Sequence, residues 1–136
     1  MTKTNLTSLD TDALYLAGTL VSASAAELNN VLDKSAVQAL TGDGEITQKN
    51  GVATLNKGAA IAATIVQPTA TTDDFKRLKI ISLTAQAHTV TIPATGWGGN
   101  VALTVATCSG AIGDCIDLIA YQGIWYVTNV HQVTFA

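Results

Sequence analysis

The chain has 136 residues, of which 48% are hydrophobic and only 12% charged, and its net charge is −3. That composition excludes general disorder, which needs a polar, highly charged chain. Seven Lys and Arg are too few to line a nucleic-acid face, so no nucleic-acid partner is expected. Ala, Thr, Gly, Val and Ser stand where charges are usually found, which leaves a lone subunit short of polar surface and points to burial between copies.

Residues 1–12 are rich in Thr, Asn and Asp and read as an extended arm. No basic start runs into an apolar stretch, so no signal peptide is read and the chain is expected to be made in the cytoplasm. The longest apolar run, residues 59–66, is too short to span a bilayer, and no membrane partner is expected. Leu14, Leu16 and Leu20 suggest an extended segment broken at Gly18. Ser24-Ala25-Ala26-Glu27 then forms a capping box. The Ser24 hydroxyl can accept from the Glu27 amide while the Glu27 carboxylate reaches back. Leu28, Val31 and Leu32 follow at helical spacing, which predicts a short helix from about Ala25, with Val37 and Leu40 prolonging its stripe. Thr41-Gly42-Asp43-Gly44 breaks the pattern. Residues 1–41 are thus expected to form an arm with one short helix that contacts a neighbour, and residues 42–136 a separate β domain.

From Gly44 onward, short runs with strand character alternate with turn residues. Ile46 lies in the first, and Lys49-Asn50-Gly51 predicts a hairpin back into residues 52–55. Residues 59–66 place Ile61, Ala63 and Ile65 on one face, and Pro68 closes that run. Thr72-Asp73-Asp74 reads as a turn. The Lys76-Arg77-Leu78-Lys79 cluster reads as a solvated edge at a strand start. Residues 78–83 are apolar on both faces, as a central strand would be. His88, Val90 and Ile92 share the next inward face, ended by Pro93. Residues 101–106 alternate, as do 116–121, and Gln122-Gly123 turns into Ile124-Trp125-Tyr126-Val127. A last short strand is expected between His131 and Phe135. The fold class expected is mainly β, an antiparallel β-sandwich or barrel, with no helices long enough for βαβ units.

The inventory of reactive side chains is thin. His88 shares a face with Val90 and Ile92 and reads as a packed histidine. No nucleophile elbow and no His-Glu-x-x-His motif occurs. Glu27 is absorbed by the capping box, and the turn aspartates read as turn formers. Cys108, Cys115, His88 and His131 match no zinc framework in their spacing. No catalytic, metal-binding or cofactor-binding residue is nominated, and no enzyme is expected. Cys108 ends one apparent strand and Cys115 begins the next. A simple hairpin would set them nearly opposite, within reach of a disulfide, and two thiols kept reduced by the cytoplasm are the alternative. Trp97, between glycines, can be a contact or sugar-stacking residue or can plug a barrel. Trp125 and Tyr126 alternate, so one belongs to the core and the other, Tyr126, to a contact surface.

Residues 13–29, Ala-Leu-Tyr-Leu-Ala-Gly-Thr-Leu-Val-Ser-Ala-Ser-Ala-Ala-Glu-Leu-Asn, resemble a segment of tailed-bacteriophage structural proteins in which a Gly-containing strand leads into a helix start. Five later stretches are similar to phage head-fibre and capsid-decoration (cement) proteins: residues 59–69, Thr72-Asp73-Asp74, Leu78-Lys79-Ile80-Ile81-Ser82, Ala87-His88-Thr89-Val90-Thr91, and 113–127. Together these cover about two thirds of the chain. The resemblance implies a virion protein present in many copies on the capsid surface as a homotrimer, bound to the major capsid protein. It implies no chemistry and carries over no catalytic residue, and the two cysteines are not part of it. A tail or head fibre, or a host-surface module that binds glycan through Trp97, is the alternative.

Overall fold

The computed structural model describes residues 14–16, 19–21, 37–92 and 94–136. The capping box at Ser24 and Glu27, the helix expected from Ala25, and Pro93 lie outside the described residues. Two units divide the chain, residues 1–32 and 33–136. In the first, β1 (Leu14–Leu16) pairs antiparallel with β2 (Thr19–Val21), as the extended reading of that segment expected.

Among its described residues the second unit holds ten strands in two five-stranded sheets. They are β3 (Val37–Leu40), β4 (Gly44–Ile46), β5 (Gly51–Leu55), β6 (Ala62–Ile65), β7 (Arg77–Ser82), β8 (Thr89–Thr91), β9 (Val105–Cys108), β10 (Cys115–Tyr121), β11 (Ile124–His131) and β12 (Val133–Phe135). One sheet runs β11-β10-β7-β5-β3 and the other β12-β9-β8-β6-β4. The two pack into a β-sandwich, the class the alternation and turn residues predict.

The sheets are mixed rather than antiparallel. β3, β5 and β7 pair in parallel, as do β4, β6 and β8. The antiparallel pairs are β7–β10 and β10–β11 in one sheet, and β8–β9 and β9–β12 in the other. The chain therefore winds from sheet to sheet through β3 to β8 in three stacked coils before it meanders. Asn50-Gly51 makes no hairpin, because β4 and β5 belong to different sheets. Gly51 still takes a positive φ of 101°, but the bend it makes carries the chain across the sandwich. Val37 and Leu40, expected on a helical stripe, lie in β3, so the β unit begins before the boundary expected at residue 42. Val101, expected in a strand, is exposed in a turn, and the strand begins at Val105.

Coil stacking builds the core. Ile46 lies beside Ile65 in the parallel ladder, and Leu40 beside Leu55. Ile92, just past β8, is buried like both isoleucines. Each such side chain contributes about 2 kcal/mol of burial. Between the second and third coils the register is constant: Gly51 lies beside Leu78 and Ala62 beside Thr89. Side-chain bonds across these coils repeat the same 27-residue separation. Trp125 fills the interior fully and its Nε1–H donates to the Val66 carbonyl at 2.9 Å.

Candidate functional site

Two networks satisfy polar groups inside the sandwich, while Trp97 Nε1 and Asp114 Oδ1 are buried without a hydrogen-bond partner among the described residues. His88 is fully buried. Its Nδ1 accepts the Ile61 amide proton at 2.9 Å, so the ring proton sits on Nε2, which faces Thr84 Oγ1 at 2.9 Å. Thr84 Oγ1 in turn donates to the Lys57 carbonyl at 2.7 Å. Burial lowers the His88 pKa and keeps the ring neutral. The packed histidine expected from its apolar face is what the structure holds. Asp114 is likewise buried, and its Oδ2 accepts from Ser109 Oγ and from the Gly110 and Ala111 amides, which closes the turn between β9 and β10. Among the described residues, no three His, Cys, Asp or Glu side chains gather as metal ligands would.

That turn overturns the geometry expected of the cysteines. β9 and β10 lie in different sheets, so residues 109–114 form a crossing rather than a hairpin. Cys108 pairs with Val133 and shares the inward phase of Ala106. Cys115 pairs with Ile81 and His131 and has the phase opposite to core Ile116. The two side chains thus leave different sheets, one toward the core and one away from it. Both are free, buried thiols. Burial first, and then the fields of Asp114 and Cys115, push the Cys108 thiol up to about 11, which makes it a poor nucleophile.

Trp97 is 3% exposed, joins the core and meets Phe135 edge-on at a centroid distance of 5.6 Å. It is a packing residue, and the contact role offered for it is corrected: the tight Gly96 bend, where an added Cβ would strike the Asn100 carbonyl, folds the indole inward. Tyr126 is 37% exposed, against complete burial of Trp125, as their alternation predicts.

Among the described residues, an exposed aromatic face lies on the β11-β10-β7 part of the first sheet. Phe75 is 70% exposed and Tyr121 46% exposed, and their rings lie 5.6 Å apart. Register extends the face: Arg77 lies beside Ile119, and Ile119 beside Tyr126. Arg77 is exposed and has no ion pair among the described residues. The basic cluster expected at a sheet edge instead starts a central strand, β7, between β10 and β5. Next to this face a cleft of about 240 Å³ is lined by Gly51, Arg77, Lys79, Asp117 and Thr128. The cleft sits where the β10–β11 ladder slips register at Asp117/Leu118.

The loop that presents Phe75 is built at a cost. Phe75 has φ 66° and Gln122, across from it, φ 49°. A bulky side chain in this region costs roughly 1–2 kcal/mol. Two aspartates hold the arrangement. Asp73, 3% exposed, accepts from Lys49 at 2.6 Å, Lys76 at 2.8 Å and the Thr69 amide at 2.7 Å. Burial works to raise its pKa, but the two ammonium groups and the amide outweigh it and hold the carboxyl well below its usual range. Asp74 accepts from the Gln122 amide at 2.7 Å and from its side chain at 3.0 Å. The Phe75 amide donates to the Ala120 carbonyl at 2.7 Å. Beyond Arg77, Lys79 is paired with Asp117 at 2.9 Å; that bond raises the Lys79 pKa against burial, with help from Cys115.

Sequence reading singled out Tyr126 on this face but not Phe75, Tyr121 or Arg77. Phe75 follows two aspartates that read as turn formers, and no residue-type signal marks a phenylalanine held in left-handed backbone. Comparison with known protein families and with curated proteins finds no match to the chain.

Proposed function

We propose that this chain is a structural subunit of a tailed-bacteriophage particle, one that coats and stabilises the capsid surface by binding the major capsid protein. The virion assignment rests on the resemblance of residues 13–29 and of the later β segments to phage structural proteins. The observation that carries the contact role is the rigidly framed, exposed Phe75–Tyr121 pair beside Arg77. Aromatic residues and arginine concentrate at protein interfaces. In this reading the residues before β3 supply the tie to the capsid, and the β unit meets its neighbours.

Shells lacking the protein, sedimented with the purified chain, test the assignment. The chain is expected to pellet with shells to saturation, and a chain lacking residues 1–20 to stay in the supernatant. Failure of the full chain to pellet overturns the assignment, and pelleting of the shortened chain overturns the role of the arm. A fibre or glycan-binding module remains the second reading. Trp97 no longer favours it, since the indole is buried, but exposed Phe75, Tyr121 and Tyr126 offer ring faces on which a sugar can stack.

A further inference from the structure

Side chains on the outer face of the first sheet fall into adjacent rows. Register sets Arg77 of β7, Ile119 of β10 and Tyr126 of β11 side by side in one row. Two residues along each strand, Lys79 and Asp117 lie side by side in the next. Strand geometry puts about 10 Å between the Arg77 and Tyr126 backbones and about 7 Å between the rows. The cleft of about 240 Å³ lies here, lined in part by Arg77, Lys79, Asp117 and Thr128. A bulge makes the room. Leu118 pairs with Val127 and Asp117 with Asn129, so Thr128 stands opposite no residue of β10, and an extra residue of this kind bends its strand. Gly51, which also borders the cleft, adds no side chain to fill it.

Charge and hydrogen-bonding capacity define what the cleft can hold. Lys79 and Asp117 neutralise each other at 2.9 Å. Arg77 is exposed and has no ion pair among the described residues, so the cleft carries one uncompensated positive charge. A guanidinium offers two parallel N–H donors, which match a carboxylate. A doubly charged phosphate would instead leave excess negative charge beside Asp117. Asp117 also accepts from Asn129 Nδ2 at 3.2 Å, and the Lys79 and Asp117 side chains remain 41% and 31% exposed. Donors and acceptors presented together suit hydroxyl groups, which do both. Ile119 and the exposed Tyr126 ring add an apolar floor of the kind that takes the C–H face of a sugar ring. An extended peptide finds no such match, because β7 and β10 lie inside the sheet and present no free edge to a new strand.

We propose that the cleft beside Arg77 binds one ring of an acidic saccharide, a sugar that carries a single carboxylate. Arg77 takes the carboxylate, Lys79 and Asp117 take hydroxyls, and Tyr126 takes the apolar face of the ring. The volume fits that size of ligand, since pockets for drug-sized molecules start at roughly 300 Å³. This inference rests on the second reading above, a glycan-binding module, and gives it a site and a class of ligand. It does not depend on the capsid assignment.

Isothermal titration of the purified full chain reads the site directly. The probes are trigalacturonate, sialyllactose and a glucuronic-acid disaccharide, each beside a neutral counterpart: the methyl ester, lactose and a glucose disaccharide. At least one acidic saccharide is expected to bind tenfold or more tightly than its counterpart, with an affinity that falls as salt rises. Arg77→Gln removes the cation and Tyr126→Ala the platform, and each should weaken binding at least tenfold. Arg77→Lys keeps the charge but loses the fork, and should fall between Arg77→Gln and the wild type. Thermal melts of each variant report that the fold is intact. Equal binding of acidic and neutral saccharides overturns the proposal and leaves a glycan-binding module standing. So does binding that neither Arg77→Gln nor Tyr126→Ala weakens, which would place the sugar elsewhere. Absence of binding by every saccharide up to about 10 mM overturns both.

Discussion

His88 Nδ1 accepts the amide proton of Ile61 at 2.9 Å, a bond that staples the third coil to the second across 27 residues of sequence. The backbone returns the favour, since the Thr89 amide donates to the Ile61 carbonyl at 2.9 Å. One buried imidazole thus satisfies a buried N–H where the chain crosses between sheets, a place where the ladder itself supplies no acceptor. His88→Phe puts a somewhat larger apolar ring in the same place and strands that N–H, while the Thr84 hydroxyl keeps its bond to the Lys57 carbonyl. The substitution is expected to cost roughly 2–3 kcal/mol, read as a lower urea midpoint with an unchanged m-value.

The pH dependence of stability follows from the same ring and from Asp73. The His88 pKa in the folded protein lies below its ordinary 6.5 because of burial. Between that lowered value and 6.5 the unfolded chain therefore binds more protons. Stability should rise with pH through this window and be lost as pH falls below about 6.5. Asp73 is held below its ordinary 3.8 by Lys49, Lys76 and Thr69 against the opposing effect of burial. Its contribution is present above 3.8 and is lost as pH falls below that value. Urea midpoints at pH 7.5, 5 and 3 should decline in two stages. His88→Phe should abolish the upper stage alone, and an unchanged midpoint between pH 7.5 and 5 would refute the role of His88.

Thiol chemistry distinguishes the observed geometry from the expected hairpin. Cys108 and Cys115 are both free and buried. Thiol reagent at pH 8 should label native protein slowly and label two thiols per chain at once in urea. Intact mass under non-reducing conditions should be that of the dithiol form. Rapid labelling of Cys108 in native protein would contradict its burial and its raised pKa.

Trp97 and Tyr126 should separate by consequence. Trp97→Ala removes an indole that is 3% exposed and packed against Phe135, at a cost of about 3–5 kcal/mol. Tyr126→Ala removes a 37% exposed ring and should move stability by no more than about 0.5 kcal/mol. If the two substitutions destabilised the protein equally, the inside and outside of this face would be misassigned.

Much of the architecture was legible because strands alternate and turns use a small set of residues. Ile46, Ala63, Ile65, Val90, Ile116 and Leu118 point inward as period-two patterning requires. The parallel stacking was not legible, although residues 52–65 and 79–92 are runs of equal length in constant register. Their residues differ in kind: Val52 lies beside Lys79 and Leu55 beside Ser82. A repeat of backbone path with so little repeat of side chain leaves no periodic signal. The same cause misled the reading of Asn50-Gly51 and of the cysteines, since turn residues announce a change of direction but not which sheet the chain enters. Trp97 was ambiguous in sequence because a tight glycine bend can turn a loop side chain either way. Phe75 was invisible because its exposure is imposed from outside its own segment, by donors on Lys49 and Gln122 and by the Ala120 carbonyl, which accepts the Phe75 amide proton.

The central claim, that the chain coats a phage capsid, is tested most directly by electron cryomicroscopy of shells that lack the protein, imaged before and after addition of the purified full chain. The account predicts ordered density at symmetry-related positions over the whole shell, with copy number in the hundreds. Shells that remain bare at saturating protein, or density confined to a vertex or tail, would contradict it.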